Sequence, residues 1–228
     1  MPTSISRRLA AAFGVLLMLA PPATGEVIRR LPTADKMVAL TFDACETKTP
    51  AYLDTRISDY LLSARIPFTI FVSGRFARHN QAALAALSKV DGVELENHSL
   101  NHDNHMERLS DAMIRREVAD NDALLFAITG GHTRYFRFPA GNTSPRAVKD
   151  VEDLGYRVVH WSFESGDPIK DLTPSMLARW VLSKTTPGSI LVFHINGRGW
   201  ATAEALPQIV GELERRGYRF TLLRTLID

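Results

Sequence analysis

The chain has a single cysteine, Cys45, so it cannot form an internal disulfide bond. Its stability must therefore come from a buried apolar core, even in an oxidising compartment. Aromatic residues are sparse at 8%, yet 45% of the 228 residues are hydrophobic and 23% are charged. This composition excludes a disordered chain and suits a globular domain. The sequence has no internal repeat, low-complexity stretch or linker, so we expect one domain over residues 26–228.

No apolar run is long enough to span a bilayer comfortably. The longest run, Leu9–Ala20, has twelve residues, whereas about 20 are needed for a membrane-spanning helix. It follows two arginines and precedes two prolines and three small residues, an order typical of a secretory signal peptide. We therefore expect residues 1–25 to be cleaved and the mature chain to be secreted or periplasmic, without stable membrane insertion. An uncleaved membrane anchor is the alternative.

The mature chain also lacks an excess of charge of either sign. The predicted signal peptide contains two arginines and no acidic residue, which leaves 25 basic and 25 acidic residues in the rest of the chain. Proteins that follow a phosphate backbone need a basic surface. We therefore expect no nucleic-acid partner, and we expect a monomer.

Short apolar runs alternate with longer amphipathic ones along the mature chain. The apolar runs predict strands, and the helical spacing of apolar residues predicts the helices between them. The strands are expected at 37–42, 68–72, 92–96, 135–138, 157–161, 189–193 and 219–223, and the helices at 51–64, 82–87, 110–128, 144–154, 173–182 and 201–216. This alternation predicts an α/β fold in which helices cover a parallel sheet.

Both an open sheet and a closed barrel are compatible with this alternation. Polar residues of chemical interest follow the C-terminal ends of five different strands. In a barrel those ends meet at one mouth, whereas in an open sheet only the strands at the switch point meet. We therefore predict a barrel with a functional site at its mouth.

Two histidines four residues apart, His98 and His102, follow the third predicted strand. Their spacing would put both imidazoles on one side of a helical turn, where both could bind one metal ion. Such a pair also occurs by chance in polar loops, so the metal interpretation depends on other segments. Those segments are Thr41-Phe42-Asp43, Arg137-Phe138-Pro139-Ala140-Gly141, Trp161 to Asp167, and Leu191-Val192-Phe193-His194.

In this order the five segments resemble those of the NodB-homology polysaccharide deacetylases, carbohydrate esterase family 4. The resemblance covers nearly all of residues 36–223. It implies a distorted (β/α)7 TIM-like barrel, the NodB-homology fold. It also implies a hydrolase that uses a divalent metal, expected to be zinc, to remove acetyl groups from an N-acetylated polysaccharide or a peptidoglycan glycan strand, releasing acetate.

The resemblance also implies roles for individual residues. His98 and His102 would bind the metal, Asp43 would take a proton from water, and His194 would protonate the departing amine. The other residues to which the resemblance gives roles are Arg137, which would orient Asp43; Asp167, which would pair with His194; and Pro139, Gly141, Trp161 and Leu191, which would bind substrate, the last against the acetyl methyl group.

The first segment departs from the family pattern Thr-Phe-Asp-Asp-Gly. Ala44 stands where the family has a metal-binding aspartate. Either Glu46 or Cys45 could supply the third ligand, Asp43 could bind metal as well as act as base, or two histidines and water could hold the ion. A glycan-binding pseudoenzyme without metal and an O-acetyl esterase are the alternative functions.

Overall fold

The computed structural model describes residues 26–227, and the predicted signal peptide lies outside the described residues. The strands are β1 (Met37–Ala44), β2 (Phe68–Val72), β3 (Val93–Asn97), β4 (Tyr135–Phe136), β5 (Arg157–Val158), β6 (Ile190–His194) and β7 (Arg219–Phe220). The helices are α1 (Thr55–Ser63), α2 (Gly74–His79), α3 (Gln81–Leu87), α4 (Asp111–Thr129), α5 (Pro145–Glu152), α6 (Pro174–Lys184), α7 (Thr202–Arg215) and α8 (Arg224–Ile227). Short 3-10 helices span Met106–Arg108 and Pro139–Gly141.

The strands form one parallel sheet in the order β5-β4-β3-β2-β1-β6, and β7 pairs with the start of β1. The outer strands approach each other, because the segment after β5 makes an isolated parallel bridge between Phe163 and Leu191 of β6. This arrangement confirms the α/β class and the distorted barrel predicted from the sequence. The C-terminal ends of the strands therefore face one mouth.

The long central strand β1 organises the core. It pairs with β2, β6 and β7, and all its residues from Val38 to Ala44 are buried. Its outward-facing Phe42 packs between Phe68 of β2 and Phe193 of β6, with ring centroids 6.0 and 5.8 Å away. Burying each such side chain contributes about 1.5–3 kcal/mol, so this cluster under the helices anchors the strands that carry the site.

The predicted boundaries fail mainly where side chains interrupt regular structure. The predicted first helix begins late, at Thr55, because Asp54 caps it by accepting a hydrogen bond from the Arg56 amide. The helix predicted around residues 82–87 has a second helix, α2, before it, and the two are separated at Asn80. Both β4 and β5 are shorter than predicted, since the chain leaves the sheet soon after Phe136 and Val158. Within residues 26–227, no helix has both the length and the apolarity that crossing a membrane requires.

Candidate active site at the barrel mouth

The polar segments that follow the strands meet at the mouth of the barrel, as predicted. A cavity of about 180 Å³ opens there, and residues as far apart in sequence as Asp43 and His194 line it. The remaining lining residues are Cys45, His98, His102, Asn104, Ala140, Trp161, Glu164, Ser165, Asp167, Pro168, Val192 and Arg198. The cavity therefore brings together most of the side chains that the sequence singled out.

Asp43 and Arg137 form a buried ion pair at the base of the cavity. An Arg137 guanidinium nitrogen donates to Asp43 Oδ1 at 2.7 Å, and the Arg137 side chain is fully buried. Three of the other four guanidinium N–H groups donate to the Thr41 hydroxyl and to the carbonyl oxygens of Val159 and His160. Burial by itself would raise the pKa of Asp43, but the adjacent charges, chiefly that of Arg137, lower it to about 2. Asp43 is therefore held ionised and in one orientation.

The two histidines of the third segment lie in a loop and not on a helical turn, so the helical geometry expected from their spacing is wrong. The loop turns sharply at Ser99 and His102, whose φ angles are +65° and +55°. Left-handed backbone is uncommon at non-glycine residues, and here the Ser99 hydroxyl accepts a hydrogen bond from the His102 amide. The result still places the His98 and His102 rings 4.9 Å apart between centroids.

The tautomer of His98 leaves one nitrogen free for the cavity. His98 Nδ1 donates to the carbonyl oxygen of Arg137 at 2.8 Å, and a carbonyl can only accept. His98 Nε2 therefore carries a lone pair, and it lies 3.5 Å from Cys45 Sγ and 3.8 Å from Asp43 Oδ2. A backbone carbonyl that fixes the ring in this way is typical of histidines that bind metals.

His102 supplies the clearest indication of a missing partner. Both of its ring nitrogens are buried without a hydrogen bond to any residue in the range 26–227. A buried imidazole without partners is costly. Donor atoms of Cys45, His98 and His102 all lie within 4.8 Å of one another. Sulfur and imidazole nitrogen are the donors that zinc prefers, so this group fits a divalent ion of that kind.

Of the two proposed third ligands, the structure places only Cys45 in this group. Successive side chains of a strand point to opposite faces, and the alternation puts Asp43 and Cys45 on the cavity side while Ala44 packs in the core. Glu46 faces away from the cavity, where its carboxylate accepts hydrogen bonds from His79 and from the Ala51 amide.

His194 and Asp167 form the second charged pair of the cavity. His194 Nδ1 lies 2.9 Å from Asp167 Oδ1, and Asp167 Oδ2 accepts hydrogen bonds from the His194 amide and the Thr202 hydroxyl. Burial by itself would lower the pKa of His194, but the bond to Asp167 and its charge raise the pKa above the usual value. The Nε2 of a ring held in this way is left to face the cavity and can give up a proton.

The third and fourth segments build one wall of the cavity. Trp161 stacks on His160 with an interplanar angle of 18°, and its Nε1 donates to Glu164. Gly141 packs on that indole so closely that a Cβ atom there would lie 2.7 Å from the ring. Of the residues predicted to bind substrate here, Gly141 supports the wall and Pro139 is buried, whereas Ala140 between them lines the cavity.

Leu191, which was predicted to contact substrate, does not line the cavity. Leu191 is buried in the apolar core beneath the helices, and Val192 lines the cavity in its place. The physical reason is again the alternation of side chains along β6. Since His194 faces the cavity, Val192, two residues earlier, must share that face, and this parity could have been read from the sequence.

Sequence reasoning also missed Arg198, which lines the cavity from the loop after β6. The same loop carries Trp200, which is 50% exposed beside a neighbouring groove. A lone arginine in a glycine-containing loop has no periodic pattern, so its position could be known only from the folded chain.

A barrel mouth that carries a buried carboxylate, an orientated histidine and a possible metal site is suited to hydrolysis. The chain belongs to the polysaccharide deacetylase family, whose sequence profile matches residues 30–159, more than half of the chain. Members of this carbohydrate esterase family generally depend on a metal, and the donor group described above is a possible site for one.

Two relatives act on peptidoglycan according to their names. A peptidoglycan-N-acetylglucosamine deacetylase of Bacillus cereus is 28% identical over 207 residues, which cover 90% of this chain and 94% of the relative. The peptidoglycan-N-acetylmuramic acid deacetylase PdaA of Bacillus subtilis is 29% identical over 200 residues, covering 86% and 73% respectively.

Among solved structures, a carbohydrate esterase family 4 pseudoenzyme from Bacillus anthracis superposes with a TM-score of 0.79 at 27% identity. The match covers 90% of this chain and 69% of the pseudoenzyme. A mutant of that pseudoenzyme is described as having restored enzymatic activity. The fold of the family is therefore compatible with both active and inactive sites.

Proposed function

We propose that this protein is a metal-dependent deacetylase of an N-acetylated glycan, with a cell-wall polysaccharide as substrate. The observation that carries the proposal is the group of Cys45, His98 and His102 beside the Asp43–Arg137 pair. The names of the two relatives support a peptidoglycan substrate. A cleaved N-terminal signal would place the enzyme outside the cytoplasm, in contact with that polymer.

Zinc held by Cys45, His98 and His102 would polarise the acetyl carbonyl and lower the pKa of water. Burial raises the pKa of the Cys45 thiol well above its usual range, but a coordinating thiol loses its proton outright to a divalent ion. The thiolate then replaces the negative charge of the family aspartate that Ala44 lacks. The missing ligand is thus supplied one position further along the chain, on the same face as Asp43.

Asp43 is the general base in this proposal. Its Oδ1 is occupied by Arg137, so Oδ2, which lies 3.8 Å from His98 Nε2, is the oxygen that faces the donor group. That oxygen can accept the proton of a water molecule as the water attacks the acetyl carbon. Arg137 is itself held by bonds to Thr41 and to two backbone carbonyls, so Asp43 does not have to reorient.

His194 is the general acid, on the β6 side of the cavity. Asp167 holds Nδ1, so Nε2 delivers the proton to the departing sugar nitrogen. Once protonated, that nitrogen cannot attack the acetyl carbon again. Val192, on the same face as His194, is placed to contact the acetyl methyl group. In this way the residues of β1 and β6 act from two sides of one bond.

The cobalt-substituted protein offers a direct test of the thiolate ligand. We expect the wild-type protein with Co²⁺ to show a sulfur-to-cobalt charge-transfer band in the near ultraviolet. Cys45→Ser should lose the band and bind the ion more weakly, while Glu46→Gln, the matched control outside the cavity, should retain both. Cobalt binding without the band in the wild-type protein would remove Cys45 from the ligand set.

The specific observation that favours a pseudoenzyme is Ala44, which is buried in the core and cannot bind metal. The cobalt-binding experiment also separates a pseudoenzyme from a metal-dependent deacetylase. A protein that binds neither cobalt nor zinc and releases no acetate from peptidoglycan or from chitooligosaccharides, yet still binds these glycans, would be a glycan-binding pseudoenzyme. Assays with O-acetylated glycans would identify an esterase.

The pH dependence of activity should reveal the His194–Asp167 pair. The pKa of His194 is raised, and a general acid must be protonated, so kcat/KM should fall as the pH rises through that raised pKa. Asp167→Asn removes the charge that raises it, so the fall should move to lower pH. Glu164→Gln, which changes a cavity carboxylate bonded to Trp161, should leave the position of the fall unchanged. An identical profile in Asp167→Asn would argue against His194 as the acid.

A further inference from the structure

Arg198 is held over the cavity by a loop that is fastened at both ends. On one side, Asn196 Nδ2 donates to the carbonyl oxygen of Cys45 at 2.5 Å, and Asn196 Oδ1 accepts from the Arg198 amide. On the other side, the Trp200 amide donates to the carbonyl oxygen of Asp167. Gly199 between them has no room for a side chain, because a Cβ atom would lie 2.6 Å from Asp167 Oδ2. The position of Arg198 is thus set by both halves of the site.

The Arg198 guanidinium has no ion pair or hydrogen bond with any residue of the described chain, 26–227. The carboxylates of the cavity are already engaged, Asp43 by Arg137, Asp167 by His194, and Glu164 by Trp161. Arg198 is exposed at the rim of the cavity, so its guanidinium can reach an anionic group of a ligand bound there.

A groove leads from Arg198 away from the cavity. It has a volume of about 500 Å³, shares Cys45 and Arg198 with the cavity, and is lined further out by Tyr52 and Trp200. These two aromatic side chains are 63% and 50% exposed. Flat exposed rings with a polar edge are suited to stacking against sugar rings. Arg198 therefore stands where a sugar in the cavity would continue into the next sugar of a polymer.

We propose that Arg198 binds a carboxylate group of the glycan, so that the substrate is an N-acetylated polymer with carboxylate substituents and not a neutral one. The inference deepens the proposed function and depends on it for the place of the scissile acetyl group. A guanidinium binds a carboxylate through two parallel N–H···O bonds, which gives both strength and direction. Two polymers share this chemistry, one with the lactyl carboxylate of muramic acid and one with a uronic acid next to the N-acetylated sugar.

The test measures binding and activity of the zinc-loaded protein with matched disaccharides. They are N-acetylglucosamine–N-acetylmuramic acid, its methyl ester, N-acetylglucosamine–glucuronic acid, and the neutral disaccharide of N-acetylglucosamine. By calorimetry, the wild-type protein should bind one of the free acids at least about tenfold more tightly than the ester or the neutral sugar. Which acid is preferred identifies the source of the carboxylate.

Variants then assign the preference to Arg198. Arg198→Gln should abolish the preference for the acid and leave binding of the ester unchanged, and Arg198→Lys should retain part of it. Lys170→Gln removes a charge near the Trp200 ring, where Lys170 Nζ lies 5.1 Å from the centroid, and should preserve the preference. In kinetics, Arg198→Gln should raise KM for the acid more than it lowers kcat.

Two outcomes would overturn the inference. Equal binding of the acid and its ester by the wild-type protein would show that no carboxylate is recognised. If Arg198→Gln and Lys170→Gln reduced the preference for the acid equally, the preference would come from the general charge of the surface and not from a site at Arg198. Failure of the proposed function has a different signature, because the acid would still bind preferentially while no disaccharide or longer glycan released acetate.

Discussion

Asp43→Asn should lower kcat for acetate release by about 10²–10⁴-fold, the range that a general base contributes. Asparagine has the same shape as aspartate and can still accept a hydrogen bond from Arg137, but it cannot take a proton from water. Because Cys45, His98 and His102 remain, the zinc content should be unchanged. Acetate release and metal analysis of the same preparation measure both quantities.

Comparing the rate with the metal content shows whether Asp43 acts as a base alone or also binds the metal. If Asp43 also bound the metal, the asparagine variant would lose zinc together with activity. An active variant with the wild-type rate would mean that another group accepts the proton. His102→Ala is the complementary control, since it should lose zinc and activity while the Asp43–Arg137 pair stays intact.

Arg137→Met should lower the free energy of unfolding by about 3–5 kcal/mol, the usual cost of removing one partner from a buried ion pair. Arg137 is fully buried and donates to Asp43, to Thr41 and to two backbone carbonyls. Methionine fills much of the same volume but leaves the Asp43 charge uncompensated and these acceptors unpaired. Urea denaturation followed by circular dichroism measures the change.

A double variant separates the charge effect from the loss of packing. Asp43→Asn in the Arg137→Met background should restore part of the lost stability, because the uncompensated charge is then gone. Additive losses in the two variants would show that the ion pair is not coupled. Full stability of Arg137→Met alone would contradict the account of Arg137 as the central hydrogen-bonding group under the cavity.

Local patterns predicted much of the fold. The apolar runs identified all seven strands of residues 26–227, and β2 was predicted with the observed bounds, Phe68–Val72. Strands β4 and β5 were predicted too long, because Phe138 and Val159 prolong the apolar runs although the chain leaves the sheet after Phe136 and Val158. Whether a chain stays in a sheet depends on hydrogen bonds to other strands, which a single apolar run does not encode.

For the site too, the sequence predicted the residues that lie in motifs better than the direction in which individual side chains point. The sequence identified Asp43, Arg137, Asp167 and His194 through the resemblance of ordered segments, and the fold brings them to one mouth. The sequence was less accurate about which residues face the cavity, since Leu191 faces the core and Val192 faces the cavity. A shift of one position along a strand reverses the side on which a residue lies.

The sequence by itself determined the alternation of strands and helices, the family, and the chemical types that surround the site. These depend on patterns within a few residues, such as apolar periodicity and short motifs. Only the tertiary structure decided that Cys45 and not Glu46 joins His98 and His102, because that choice depends on the parity of β1 and on the bond between Glu46 and His79. It also decided the place of Arg198, since the bonds that hold its loop reach Cys45 and Asp167, which lie in distant parts of the chain. Contacts between residues so far apart in sequence arise only when the whole barrel closes.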